Sequence, residues 1–176
     1  PISSPPGVPE AGNVWLVDGA KHARRPAKGD VVNVADTIVT GSDGEIHLDM
    51  ADGAFLAVRS NSLLEVKEYR ARGDKKDRGV LKLIKGTFRS FTGWIPWVAP
   101  RGYRVESLTA TIGVRGTDHE PFLILEENAI GEPGTYDKVN EGITFLDHPS
   151  GQVEIKSQQA GFAPLSREGK ARLLDV

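Results

Sequence analysis

Apolar and polar residues alternate along most of this chain with a period of two, which is typical of β-strands that have one buried face. The clearest case runs from Ala110 to Val114, and it is followed by Gly116 and a polar cluster from Thr117 to Glu120. A glycine inside a strand pattern usually marks a bulge, a bend or a close approach of two backbones. We therefore predict a strand that bends after Arg115 and displays the polar cluster at the bend.

A β-hairpin is predicted where alternating residues from Ile46 to Met50 are separated by Asp52-Gly53 from the apolar run Phe55 to Val58. Asp-Gly favours a type I′ turn, which needs positive φ at both central positions. The charged stretch from Glu68 to Arg78 lacks helical spacing of apolar residues, and it predicts a solvated hairpin loop. Turn signals recur about every 8 to 12 residues, as in a sandwich, barrel or solenoid.

Two more turns are predicted at Lys85-Gly86 and from Val139 to Gly142. Ser166 to Leu174 is the one segment where we predict a short helix, with Ser166 as its N-cap. The domain organisation that follows has three parts: a Pro-rich leader over residues 1–11, an all-β domain over residues 12–165, and a C-terminal tail or short helix over residues 166–176.

The composition supports many short strands joined by turns, because the 176 residues include 20 Gly and 11 Pro and only 39% are apolar. There is no cysteine, which excludes disulfides, cysteine-ligated metals and thiol catalysis within this sequence. The net charge of −2 gives no reason to expect nucleic acid as a partner. No apolar run approaches the roughly 20 residues of a transmembrane helix.

The order of several short motifs resembles the FecR-like domain family of Gram-negative bacteria. The likeness covers roughly Gly12 to Pro164. The matching motifs are Gly29-Asp30, Asp36-Thr37, Thr40-Gly41, the Leu48 strand with Asp52-Gly53, Asn61-Ser62, Leu83-Ile84-Lys85-Gly86, Val114-Arg115-Gly116-Thr117, Asn140-Glu141-Gly142 and Ala160-Gly161. The sequence departs from the family pattern at His119, where the family places a bulky apolar or aromatic residue. The stretch Trp94 to Trp97 is a second departure.

The resemblance implies an all-β stack of short strands, solenoid-like or sandwich-like, located in the periplasm or otherwise outside the cytoplasm. Family members that transmit a surface signal to a sigma factor carry an intracellular anti-sigma segment and a membrane helix. Neither is present in these 176 residues, so we do not predict sigma-factor regulation by them.

The bend itself is the first candidate binding site. Arg115, Gly116 and Thr117 could bind an anionic ligand through the guanidinium and exposed backbone N–H groups. The alternative, which we favour, is that Arg115 is a buried structural residue whose five donors hold loop carbonyls together.

Asp118, His119 and Glu120 form a second candidate site, in which imidazole and carboxylates bind a divalent metal. Neighbouring strand residues point to opposite faces, so a metal could take Asp118 and Glu120, or His119, together with partners elsewhere. Those partners would come from a small group of residues distant in sequence: His47, Asp49, Tyr136 and Asp137. The structural alternative, which we favour, pairs Arg115 with Asp118 and lets His119 donate to a carbonyl.

Trp94 and Trp97, with Trp15, form a third candidate site, an aromatic platform for a sugar ring or a peptide. The alternative, which we favour, is that these rings pack in the core beneath the loop. No Ser, His and acidic residues share the spacing of a nucleophile elbow.

The leading functional hypothesis is a non-enzymatic binding or scaffold module of the envelope, without a cofactor, that could act in envelope signalling. It would bind an envelope protein or a cell-wall component through Trp94, Trp97 and residues 115–120. The second hypothesis is a metal-binding protein or metal-dependent enzyme centred on His119. A third is a structural spacer between domains of a longer protein.

Overall fold

The computed structural model describes residues 14–128 and 130–175, and the predicted leader lies outside them. Within those ranges the regular secondary structure is strand except for one helical turn, which confirms the all-β prediction. The strands are β1 (Val14–Val17), β2 (Ala23–Arg24), β3 (Thr37–Thr40), β4 (Ile46–Asp49), β5 (Phe55–Val58), β6 (Leu63–Arg70), β7 (Arg78–Phe91), β8 (Tyr103–Glu106), β9 (Thr111–Ile124), β10 (Gly134–His148), β11 (Gly151–Lys156), β12 (Gln159–Pro164) and β13 (Arg172–Leu173). A single helical turn, α1 (Ile95–Val98), lies between β7 and β8.

The three long strands change partners along their length and so contribute to two layers. The first part of β7 pairs with β6 and β8, whereas its last part pairs with β5 and β9. In the same way, the first part of β9 pairs with β8 and its later part pairs with β7. The first part of β10 pairs with β12 and its last part with β11, while both parts also pair with β9. Strands that switch sheets form the corners of a sandwich. All thirteen strands nevertheless belong to one hydrogen-bonded sheet, and we refer to this folded sheet as the sandwich.

The space between the layers is filled by the apolar residues that alternate along the strands. The largest fully buried apolar side chains are Leu16, Ile38, Leu56, Leu64, Leu81, Leu83, Phe88, Ile95, Tyr103, Ile112, Leu146 and Phe162. All of them except Phe162 belong to one main cluster, which includes Ile95 of α1 and so fixes the position of the helical turn.

The predicted bend after Arg115 is confirmed, and it is a contact between two glycines. Gly116 in β9 has φ +47 and Gly142 in β10 has φ +95. A Cβ on Gly142 would overlap the carbonyl oxygen of Gly116. The register of β9 and β10 shifts at this point, between Val139 and Ile143. The turn predicted from Val139 to Gly142 is therefore wrong, because these residues form a bulge inside a continuous strand.

The prediction of a turn at Lys85-Gly86 is also wrong. Gly86 has φ +83 and lies inside β7, where the strand bends from the first layer into the second. A Cβ there would overlap the Ser62 hydroxyl, and that hydroxyl accepts a hydrogen bond from the Thr87 backbone N–H at 3.0 Å. The glycine thus permits a close approach of two strands rather than a reversal of the chain.

The hairpin of β4 and β5 is confirmed, but its turn is not type I′. Gly53 has φ +80, while Asp52 is not among the described residues with positive φ. Two backbone bonds close the loop, from Gly53 N–H to the Met50 carbonyl at 3.0 Å and from Met50 N–H to the Ala54 carbonyl at 2.8 Å. The loop therefore has more residues than the two-residue turn predicted from Asp-Gly.

The short helix predicted from Ser166 to Leu174 is wrong, because Arg172–Leu173 form β13 against β12. The Arg172 guanidinium lies over the Phe162 ring at 4.8 Å. A helix of nine residues that contains Gly169 gains little by itself, whereas the sheet edge offers hydrogen bonds and an aromatic face. No helix within residues 14–128 and 130–175 has the length and apolar character that crossing a bilayer requires.

Candidate functional site

The tryptophan-containing segment forms one helical turn that exposes its indoles and buries its aliphatic residues. Trp97 is 73% exposed and Trp94 39%, whereas Ile95 and Pro96 lie in the core. Residues three apart in a helical turn share a face, so the two indoles point outward together. The core packing that we favoured for these two rings is therefore wrong. Trp15 is half-buried on β1, in a separate cluster with Val17 and Val39.

The exposed turn is attached to the sandwich at both ends. The Trp94 backbone N–H donates to the Asp52 carbonyl at 3.0 Å, and its indole Nε1–H donates to Asp77 Oδ2 at 3.2 Å. The Trp97 ring lies on Gly116, where a Cβ would approach Cζ2 to 2.7 Å. Only glycine permits this contact, which joins the tryptophan turn directly to the bend in β9.

Thr117 supports the contact from inside the sandwich. It is only 7% exposed, and its backbone N–H donates to Thr92 Oγ1 at 2.8 Å. The Thr92 backbone N–H in turn donates a hydrogen bond to the Thr117 carbonyl at 2.9 Å. This pair ties the end of β7, immediately before the tryptophan turn, to the bend in β9.

The structural role that we favoured for Arg115 is wrong, because its side chain is exposed. It forms no ion pair with any residue that the structure describes, and Asp118 pairs with Arg89 instead. Arg89 Nε and Nη2 donate to the two oxygens of Asp118 at 2.9 and 2.7 Å. The strand alternation that buries Val114 places Arg115 on the outer face.

His119 lies on the opposite face from Asp118 and Glu120, as the strand period predicts. Its side chain is fully buried, and Nδ1 donates to Asp137 Oδ1 at 2.9 Å. The second oxygen of Asp137 accepts from the Thr144 hydroxyl at 2.7 Å. His119 therefore pairs with a buried carboxylate rather than with the carbonyl that we expected.

The metal hypothesis gains nothing from this geometry. No group of three His, Asp or Glu side chains converges among residues 14–128 and 130–175 in a way that could hold an ion. Of the proposed partners only Asp137 reaches His119, while Glu120 faces outward, with Arg59 Nη2 at 3.6 Å from one of its oxygens. A divalent metal at this corner stays a prediction.

The Asp118–Arg89 pair predicts a pH dependence. The Arg89 hydrogen bonds hold the pKa of Asp118 below its usual value of 3.8. A lowered folded-state pKa means that this stabilisation is complete above pH 3.8 and is lost as the pH falls through the folded pKa. We expect Asp118→Asn to reduce the free energy of unfolding by about 0.5–1 kcal/mol at pH 6. In urea titrations repeated at decreasing pH, the difference in unfolding free energy between wild type and variant should shrink as the pH falls below 3.8. A difference that stays constant would contradict the assignment.

The comparisons with known proteins agree with the motifs and the fold. A model of the family described as FecR protein matches residues 36–129, which is more than half of the chain. The chain belongs to the FecR family. The matched segment begins just before β3 and contains the tryptophan turn and the bend in β9. The family prediction from the sequence is confirmed. No curated protein matches the sequence significantly.

Two solved structures have a fold similar to that of this chain. Two crystal structures of a candidate anti-sigma factor from Parabacteroides distasonis ATCC 8503, at 1.65 and 2.50 Å resolution, superpose with a TM-score of 0.60. Each is 11% identical to this chain and covers 79% of it. The chain spans 59% of the length of that protein. At this identity the likeness concerns the fold alone.

Sequence reasoning missed two participants of the site. Arg89 binds Asp118, and Phe91, which is 40% exposed, lies opposite Asp118 in the β7–β9 register. Both occupy the outward positions of the alternating run that ends β7, so the outward direction of their side chains could have been read from the pattern. Their partner could not, because the pairing of β7 with β9 follows from the bend at Gly86.

Proposed function

We propose that this FecR-family domain is a protein-binding module of the bacterial cell envelope that takes part in envelope signalling. We further propose that its partner binds the tryptophan surface, defined as Trp94, Trp97, Gly116 and Arg115. The observation that carries the proposal is the 73% exposure of Trp97 on a turn that is fixed to the sandwich. Family membership supports the envelope location, and the anti-sigma description of the structural neighbours supports a role in signalling.

Exposure of large aromatic rings on a rigid turn favours protein binding for a physical reason. Trp and Arg are the residues most enriched among those that dominate binding energy at protein interfaces. Immobilising flexible side chains on binding costs about 0.5–1.5 kcal/mol for each one. The Trp97 ring already rests on Gly116, and the Trp94 indole is already bonded to Asp77, so a partner meets a surface that is largely ordered in advance.

Site-specific crosslinking in the native host identifies the partner. A photoreactive phenylalanine analogue replaces Trp97 in one variant and Leu108 in the other, and both positions are highly exposed in the wild type. We expect a discrete crosslinked protein from position 97 only. Equal or absent crosslinking at the two positions would contradict the proposal.

Trp97→Ala is then expected to weaken binding of the captured partner at least tenfold, because truncation of a central tryptophan costs about 2–4 kcal/mol at such interfaces. Leu108→Ala is the matched control, since it removes an equally exposed apolar side chain from the loop between β8 and β9. Isothermal titration calorimetry with both variants checks the result. Unchanged affinity in Trp97→Ala would show that the partner does not bind through the tryptophan surface.

A further inference from the structure

Five basic residues without ion pairs among the described residues lie on the tryptophan surface or on the segments that adjoin the tryptophan turn. Arg115 belongs to it, and Arg101 follows α1 in the next turn. The other three, Arg72, Lys75 and Lys76, lie on the turn between β6 and β7. All five side chains are exposed. An unpaired surface cation keeps its full charge available to a partner.

One buried carboxylate brings the basic turn and the tryptophan turn together. Asp77 is 1% exposed and accepts hydrogen bonds from the backbone N–H groups of Arg72 and Gly73 at 2.8 and 2.7 Å. Asp77 also accepts a hydrogen bond from the Trp94 indole N–H at 3.2 Å. A Cβ on Gly102, the residue after Arg101, would approach the Asp77 carbonyl oxygen to 2.6 Å. The two turns are therefore in contact, and their basic residues lie within a few residues along the chain of that contact.

The two carboxylates of the β6–β7 turn offset only part of the positive charge of those basic residues. Asp74 is engaged by Arg70, whose hydrogen bonds lower the pKa of Asp74 to about 2. Asp77 also accepts from Arg70, at 2.9 Å, and is buried beneath the turn. Arg70 therefore forms ion pairs with both carboxylates of the turn. The region is positive although the whole chain carries a net charge of −2.

We propose that the segment bound at the tryptophan surface is an acidic protein segment with at least one large apolar side chain. This inference rests on the proposed function and names the chemistry of its partner. The apolar side chain packs on Trp97, and the carboxylates pair with Arg101, Arg115 and the cations of the β6–β7 turn. Charge complementarity of this kind accelerates association and selects among partners.

A protein segment fits this surface better than an anionic membrane does. The Trp97 ring lies against the backbone at Gly116, and Trp94 is anchored through its indole N–H. Membrane-surface binding instead buries an apolar face about 5–10 Å into the boundary between headgroups and acyl chains. Rings held in this way can receive a side chain from a partner without leaving their position.

Selection from a displayed library of random 12-residue peptides tests the inference with the purified domain. We expect enriched peptides to carry net negative charge and at least one aromatic or large aliphatic residue. Arg101→Glu/Arg115→Glu should weaken the enriched peptides at least tenfold in fluorescence anisotropy, and raising the salt concentration should weaken the wild-type complex. The matched control, Arg167→Glu/Lys170→Glu, changes the net charge equally at exposed residues near the C-terminus and should bind normally.

Three results would overturn the inference. These are enrichment without a charge preference, no enrichment at all, or equal weakening by the two charge-reversed variants. Sedimentation with phosphatidylglycerol vesicles could give a fourth such result. If the wild type bound these vesicles and Arg101→Glu/Arg115→Glu did not, the surface would be assigned to anionic lipid. The proposed function is tested separately by crosslinking at position 97. If the crosslinked partner binds Arg101→Glu/Arg115→Glu normally but not Trp97→Ala, the protein-binding function stands and the acidic chemistry is wrong.

Discussion

Asp137→Ala is expected to lower the free energy of unfolding by about 3 kcal/mol or more, a large share of the 5–15 kcal/mol that is typical of domains. Asp137 is fully buried, and its two oxygens accept from His119 Nδ1 and from the Thr144 hydroxyl. Alanine leaves both donors buried without an acceptor, at a cost of about 1–3 kcal/mol each. His119 Nε2 already has no hydrogen-bond partner among the described residues, so the imidazole has no second bond to retain it.

Urea-induced unfolding followed by circular dichroism measures this loss, and two variants control it. Asp137→Asn keeps one acceptor oxygen and should lose only about half as much stability. Asp118→Ala removes a carboxylate from the surface pair with Arg89, and it should cost about 1 kcal/mol or less. If Asp137→Ala were no more destabilised than Asp118→Ala, the buried pair would not be a main support of the core.

Gly142→Ala is expected to cost about 3 kcal/mol or more in unfolding free energy. Gly142 has φ +95, and an added Cβ would overlap the Gly116 carbonyl oxygen and lie 2.7 Å from Thr117 Cγ2. Backbone strain at positive φ contributes about 1–3 kcal/mol, and forced separation of the two strands adds a similar amount. The separation would also move Gly116 away from the Trp97 ring.

Gly53→Ala is the matched control for Gly142→Ala. Gly53 has a similar φ of +80, but nothing lies within 4 Å of the position of an added Cβ. It therefore carries the backbone strain without the overlap, and thermal unfolding should show about half the loss or less. Equal losses in the two variants would mean that β9 and β10 do not approach each other closely at the bend.

Much of the fold could be predicted because the strand period and the glycine positions are local signals. The hairpin of β4 and β5 and the bend after Arg115 are examples. A local pattern does not reveal which strand lies beside another. Gly86 and Gly142 were therefore interpreted as turns, although they permit long strands to bend close to a neighbour.

The candidate site was predicted less completely, because its geometry depends on contacts between distant segments. The strand alternation correctly separated His119 from Asp118 and Glu120. Nothing local identifies Arg89 as the partner of Asp118, or shows that Ile95 and Pro96 rather than the indoles fill the core. The exposed tryptophans are the feature that changes the functional interpretation most.

The central claim is that the bend in β9 holds the Trp97 ring against Gly116 and so presents a fixed aromatic surface. Proton NMR of the labelled domain tests it most directly, because the ring current of an indole in contact with Gly116 shifts the Gly116 Hα resonances. We predict nuclear Overhauser contacts between the Trp97 ring and Gly116 Hα, and the loss of the ring-current shift in Trp97→Ala. Unshifted Gly116 Hα resonances without contacts to the ring would contradict the claim.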